Sequence, residues 1–176
     1  MMSTSTSHLA SNGIMFHLLG YGVANLAVFF GLILAYNETR EDEITGLRGL
    51  SQRQPLVAFL MTCSFFSLAG LPIFWGFTSK FYLFNAYAVQ GLIWVVPIAT
   101  ITSLISLYYY TKVIRQIYVK SSRIEVMALP VPYLERVLLT LFLVIIVAGG
   151  IYPALLMDSI QSATDVVISN ELIQVF

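Results

Sequence analysis

Apolar residues run along this chain in four long stretches set apart by short polar ones, and each approaches the ~20 residues that a helix needs to cross a bilayer. The spans read as about residues 14–36, 55–88, 92–114 and 137–156, with a polar lead over 1–13 and a tail over 158–176, so that the membrane domain covers 14–157. The first stretch holds His17 and Asn25 but no formal charge, and Gly20, Gly22, Ala24 and Ala27 give it a small-residue face for close helix packing. In the third, Thr100, Thr102, Ser103 and Ser106 can bond to their own backbone or across to a neighbour, and Tyr108, Tyr109 and Tyr110 close it as an aromatic belt would. Ile160, Ala163, Val167 and Ile168 recur near helical spacing in the tail, which predicts an amphipathic helix on the outer surface or against a partner. The expected fold is all-α and integral to a membrane, with about four transmembrane helices, the second of them discontinuous at Gly70–Pro72.

That second stretch, PLVAFLMTCSFFSLAGLPIFWGFTSKFYLFNAYA from Pro55 to Ala88, organises the rest. Gly70, Leu71 and Pro72 interrupt it, and a proline removes an amide donor and clashes with the preceding turn, so the helix should break there. In lipid the carbonyls and amides so freed are tolerated only where protein or a water-filled cavity supplies partners. A few residues on stands Lys80, the one charge in the segment, among Phe74, Trp75, Phe77, Phe81, Tyr82 and Phe84. A cation at a helix centre costs roughly 2.5 to 3.5 kcal/mol even on the lenient insertion scale. The plain alternative is that Lys80 snorkels to an interface, about 12 Å away along the helix. Its near end, however, is the one where the chain otherwise places no Lys or Arg, so the break and the ammonium together point to an ion or proton path.

Composition changes the picture in one respect: with 58% hydrophobic and 10% charged residues, a soluble domain of ordinary composition is excluded. The charges then set orientation. Arg40, Arg48 and Arg53 follow the first span and Lys112, Arg115, Lys120, Arg123 and Arg136 follow the third, while the opposite side carries only Asp158, Asp165 and Glu171. By the positive-inside rule the basic side is cytoplasmic and both termini face outward, in a bacterial plasma membrane or, for an organellar protein, a thylakoid or inner mitochondrial one. The acidic run Glu38, Glu41, Asp42 and Glu43 reads as a solvated loop face. No carboxylate falls within any of the four spans, so an acidic partner for Lys80 must come from elsewhere. His17 and Asn25 are the secondary candidates, one because it can titrate and the other as a helix-packing amide. Cys63 stands alone as a small core residue, and no dinucleotide or phosphate loop, metal-ligand spacing or nucleophile triad is present; no cofactor, metal or nucleic acid is expected on this chain.

SLAGLPIFWGFTSKFYLF, Ser67 to Phe84, resembles the signature of the antiporter-like subunit N (subunit 2) of proton-pumping NADH:quinone oxidoreductase, respiratory complex I. LRGLSQRQP from Leu47, SLYYYTKV from Ser106 and GYGVANLAVF from Gly20 are similar to further stretches of that family, in the same order. The resemblance implies that Lys80 is the terminal proton-loading lysine and that Gly70, Leu71, Pro72 and Gly76 form the helix break beside it. It implies a proton-translocating role coupled to quinone reduction elsewhere, with NADH, flavin, iron–sulfur clusters and quinone held by other subunits. Partners would be the other membrane-arm subunits, the lipid bilayer and the N-terminal helices of the same subunit, which the family has and this sequence lacks. On that reading the chain is a C-terminal fragment, one half of a split gene, or a decayed reading frame. The pattern departs at Ser79, where the family has glycine, at Ala27 and Val28, and at His17. Two other readings stay open: a subunit of a multisubunit cation/proton antiporter, and a non-catalytic membrane scaffold or inactive fragment.

Overall fold

The computed structural model describes residues 2–119, 131–154 and 156–164. Lys120, Arg123 and the tail beyond Thr164, with Asp165, Val167, Ile168 and Glu171, lie outside the described residues. Among those described there is helix, turn and loop and no strand.

Helix α1 covers Met2–Thr39, α2 is a single turn over Leu50–Arg53, α3 covers Pro55–Ala69, α4 Trp75–Val89, α5 Val95–Tyr118 and α6 Tyr133–Ile151. Two of them, α1 over Ala10–Thr39 and α6, are long and apolar enough to cross a membrane, and α3 is a shorter apolar helix. α3 and α4 form a central broken rod, held between α1 and α6. Glycine makes the approach close: a Cβ at Gly31 of α1 would collide with Met61 of α3, and one at Gly20 or at Gly149 of α6 would collide with the Trp75 ring of α4. α5 packs on α3, where Tyr110 stacks on Phe65 with ring centroids 5.1 Å apart, but barely touches α4. A cleft therefore opens between α4 and α5.

Residues 156–164 are helical, and Met157 and Ile160 are buried against Phe16 and Trp75 while Thr164 is buried one turn further on. Of the stripe expected here, Ile160 is thus turned onto the chain's own core, beside Met157, while Ala163 is exposed.

At the other end of α1 the sequence expectation needs correcting. No glycine or proline interrupts Asn37–Thr39, so the helix runs on until Arg40 turns left-handed (φ 57°) and gives its N–H to the Tyr36 carbonyl at 2.7 Å. Glu38 consequently falls in the last turn of the apolar helix instead of on a solvated loop, although Glu41, Asp42 and Glu43 are exposed. Its side chain, 7% exposed, pairs at 3.6 Å with Arg53, which is 1% exposed. Arg53 also donates from Nη2 to the carbonyls of Gly46 at 3.0 Å and Arg48 at 3.3 Å, which ties the intervening loop to the start of α3.

Candidate functional site

The site is built on the way α3 ends. Helices leave their last four carbonyls without partners, and here each has a destination. Gly70 takes the left-handed conformation (φ 85°), which glycine alone adopts without a Cβ penalty. Its N–H then reaches the Ser67 carbonyl at 3.0 Å, and that of Leu71 the Phe66 carbonyl at 2.9 Å, the pair of bonds that defines a Schellman cap. The carbonyls of Leu68 and Ala69 remain, and Lys80 Nζ donates to both at 3.1 Å. Its third hydrogen goes to Ser103 Oγ of α5, also at 3.1 Å. An ammonium has three donors and no acceptor, so Lys80 is fully satisfied by neutral groups. It also stands at the negative pole of the α3 dipole, where a cation is favoured.

Capping is reciprocal. Five residues, Gly70–Phe74, separate the two helices, and Ile73 among them holds a positive φ of 82°, an outlier for a β-branched residue. α4 starts with no side-chain cap of its own; instead Ser67 Oγ of α3 accepts the Gly76 N–H at 3.1 Å. Gly76 therefore lies in the first turn of α4, with its Cα face against α3, and Pro72 lies exposed in the connecting turn. On the far side, Thr78 Oγ1 donates to the Gly150 carbonyl at 2.8 Å and fixes α4 to α6.

His17 comes next to this cluster through Ser79, whose Oγ lies 2.9 Å from His17 Nδ1 and donates to the Gly76 carbonyl at 3.1 Å. The hydroxyl has one hydrogen for these two contacts, so the His17 tautomer sets which of them receives it. A void of about 10 Å³, at the lower limit for one water, lies between His17, Ser67, Gly76 and Lys80. Asn25 is elsewhere: its amide donates to the Tyr21 carbonyl of its own helix at 2.8 Å.

Burial of Lys80 needs a correction too. The sequence leads one to expect a buried lysine, whereas within this chain Lys80 is half-buried. The reason is the splay of α5, which leaves a cleft of about 210 Å³ lined by Lys80, Gly70, Phe77, Phe81, Thr100 and Ser103, among others. What sequence reasoning missed were the backbone partners, because carbonyls carry no residue signal, and Ser67 and Ser79, which stand out only as hydroxyls within apolar runs. Ser103 was among the hydroxyls expected to bond to their own backbone or across to a neighbour, with Lys80 not foreseen as that neighbour. Among the described residues no three of His, Cys, Asp and Glu converge as metal ligands would.

A lysine held at the break of a discontinuous helix, among described residues that form helices and no strand, two of the helices long and apolar enough to cross a membrane, defines the class as an integral membrane protein of all-α fold. Residues 1–106 match the family described as NADH:quinone oxidoreductase/Mrp antiporter, TM, and the chain belongs to that family. Over most of its length it is homologous to subunit N of NADH-quinone oxidoreductase. It is 36% identical to that subunit of Heliobacterium modesticaldum over 151 residues, covering 85% of this chain and 31% of the relative. To that of Moorella thermoacetica it is 35% identical over 149 residues (85% and 31%), and to that of Desulfitobacterium hafniense 34% over 141 residues (80% and 28%). The chain thus spans about three tenths of the length of these relatives.

Proposed function

We propose that this chain is the C-terminal part of an antiporter-like membrane-arm subunit that translocates protons in an NADH:quinone oxidoreductase, and that Lys80 carries the proton. The observation that carries the reading is the cradle at the α3–α4 break: the Leu68 and Ala69 carbonyls and Ser103 Oγ receive all three ammonium hydrogens with no carboxylate among them. A cation so held is stabilised by dipoles alone. A charge arriving nearby, in a neighbouring subunit responding to quinone reduction, then decides whether the amine keeps its proton. When the proton leaves, the two carbonyls lose their donors, and the break can relax, which couples charge to the shape of the α3–α4 junction.

In this reading the chain crosses the membrane four times, with α3 and α4 together as one broken span, and both termini lie on the side opposite the basic loops. Redox chemistry and its cofactors belong to other subunits. His17 and Ser79 flank the carrier, and Asn25 contributes packing.

Lys80→Met tests the proposal in membranes that contain the assembled complex. Proton translocation driven by NADH is expected to fall to background while the subunit is still incorporated. Pumping at the wild-type ratio would overturn it and leave a scaffold; sodium-dependent exchange without NADH would instead favour the cation/proton antiporter.

A further inference from the structure

Of the three acceptors around Lys80 Nζ, two are peptide carbonyls that can receive a hydrogen bond but cannot carry a proton away. Ser103 is the third, and the only one with an exchangeable hydrogen. Its hydroxyl donates to the Ala99 carbonyl at 2.9 Å, which turns an oxygen lone pair to Lys80. The two sides of Lys80 differ in access. Toward His17 there is only the void of about 10 Å³. Toward α5 lies the cleft of about 210 Å³ that Ser103 and Thr100 line together. Thr100, one turn before Ser103 on the same face of α5, also lines a second space of about 670 Å³, shared with Asn85, Val96 and Pro97. Phe81, Phe84 and Thr100 wall both spaces, so the two adjoin and together point from Lys80 toward the link between α4 and α5.

Resting on the reading of Lys80 as a proton carrier, we propose that Ser103 is its relay residue, passing the proton into the α4–α5 cleft along Thr100 and Asn85 to the side on which the α4–α5 link lies. In the step, an N–H bond of the ammonium breaks as an O–H bond forms on Ser103 Oγ. The hydroxyl's own hydrogen, turned from the Ala99 carbonyl into the cleft, leaves to a water that has entered from that side. Lys80 ends as the neutral amine, Ser103 as a neutral hydroxyl and the water as hydronium; rotation of the hydroxyl back to the Ala99 carbonyl resets the relay.

Two measurements on the assembled complex test this. Ser103→Ala is expected to lower the rate of NADH-driven proton translocation by about tenfold or more, with Ser103→Thr restoring most of it; a full rate in Ser103→Ala would overturn the relay. The second does not depend on pumping: in a Cys63→Ser background, Ser103→Cys and Thr100→Cys should react with a membrane-impermeant thiol reagent added from the link side and stay unmodified from the basic-loop side. The reverse pattern, or protection from both sides, would overturn the route. Failure of the underlying reading shows separately, as pumping that survives Lys80→Met.

Discussion

Gly76→Ala is expected to cost about 3 kcal/mol or more, at the upper end of what overpacking does, and to reduce sharply the amount of subunit found in the assembled complex. A Cβ at this position would land far inside van der Waals contact of the Ser67 carbonyl oxygen. Neither side can give way cheaply. Gly76 is in the first turn of α4, and Ser67 is in the last turn of α3, where its carbonyl is already engaged by the Gly70 N–H. The only relief is for the two half-helices to separate, which also draws Lys80 Nζ from the Leu68 and Ala69 carbonyls. Gly22→Ala is the control, because a Cβ there meets nothing within 4 Å. Thermal midpoints of the solubilised complex should fall by several degrees for the first variant and stay unchanged for the second. Equal midpoints would show that the junction is looser than described.

Arg53→Met is the second large effect, expected to destabilise by about 3 to 5 kcal/mol, the range for breaking a buried ion pair from one side. It strands the Glu38 carboxylate at 7% exposure and releases the carbonyls of Gly46 and Arg48. If the stranded charge is the main cost, Glu38→Gln combined with Arg53→Met should recover most of the loss, since a neutral amide needs no counter-ion. A double variant as unstable as the single one would assign the cost to the freed carbonyls. Assembly yield and thermal midpoint read both.

The interruption of the second apolar run was legible because Gly70 and Pro72 have local consequences that no packing is needed to foresee, and Lys80 was conspicuous as a charge where none is affordable. What occupied its three donors was not legible. Leu68 and Ala69 contribute through their backbone, which any residue could, and Ser103 meets Lys80 only because α5 folds against α3. Glu38 misled for a related reason: in sequence it heads an acidic loop, but with no glycine or proline before Arg40 the helix carries it into its last turn, where it meets Arg53, fifteen positions on. In the tail, periodicity names a face without naming what buries it: Ile160 of the expected stripe is covered, with Met157, by Phe16 and Trp75, whereas Ala163 of that stripe is exposed. His17 was visible as titratable, yet its approach to the junction depends on Ser79, one of the positions that depart from the family pattern.

Lys80→Arg separates a proton carrier from a fixed charge more sharply than any deletion, because a guanidinium keeps its proton throughout the accessible pH range. The cleft of about 210 Å³ beside Lys80 gives the larger head room, and the Leu68 and Ala69 carbonyls can accept from it as they do from the ammonium. The measurement is the number of protons translocated per electron in sealed vesicles, taken beside the quantity of assembled subunit. If Lys80 works by binding and releasing a proton, the variant should assemble at the wild-type level and its ratio should drop. If the ratio stays at the wild-type value, the positive charge serves only to cap α3, and Lys80 carries no proton.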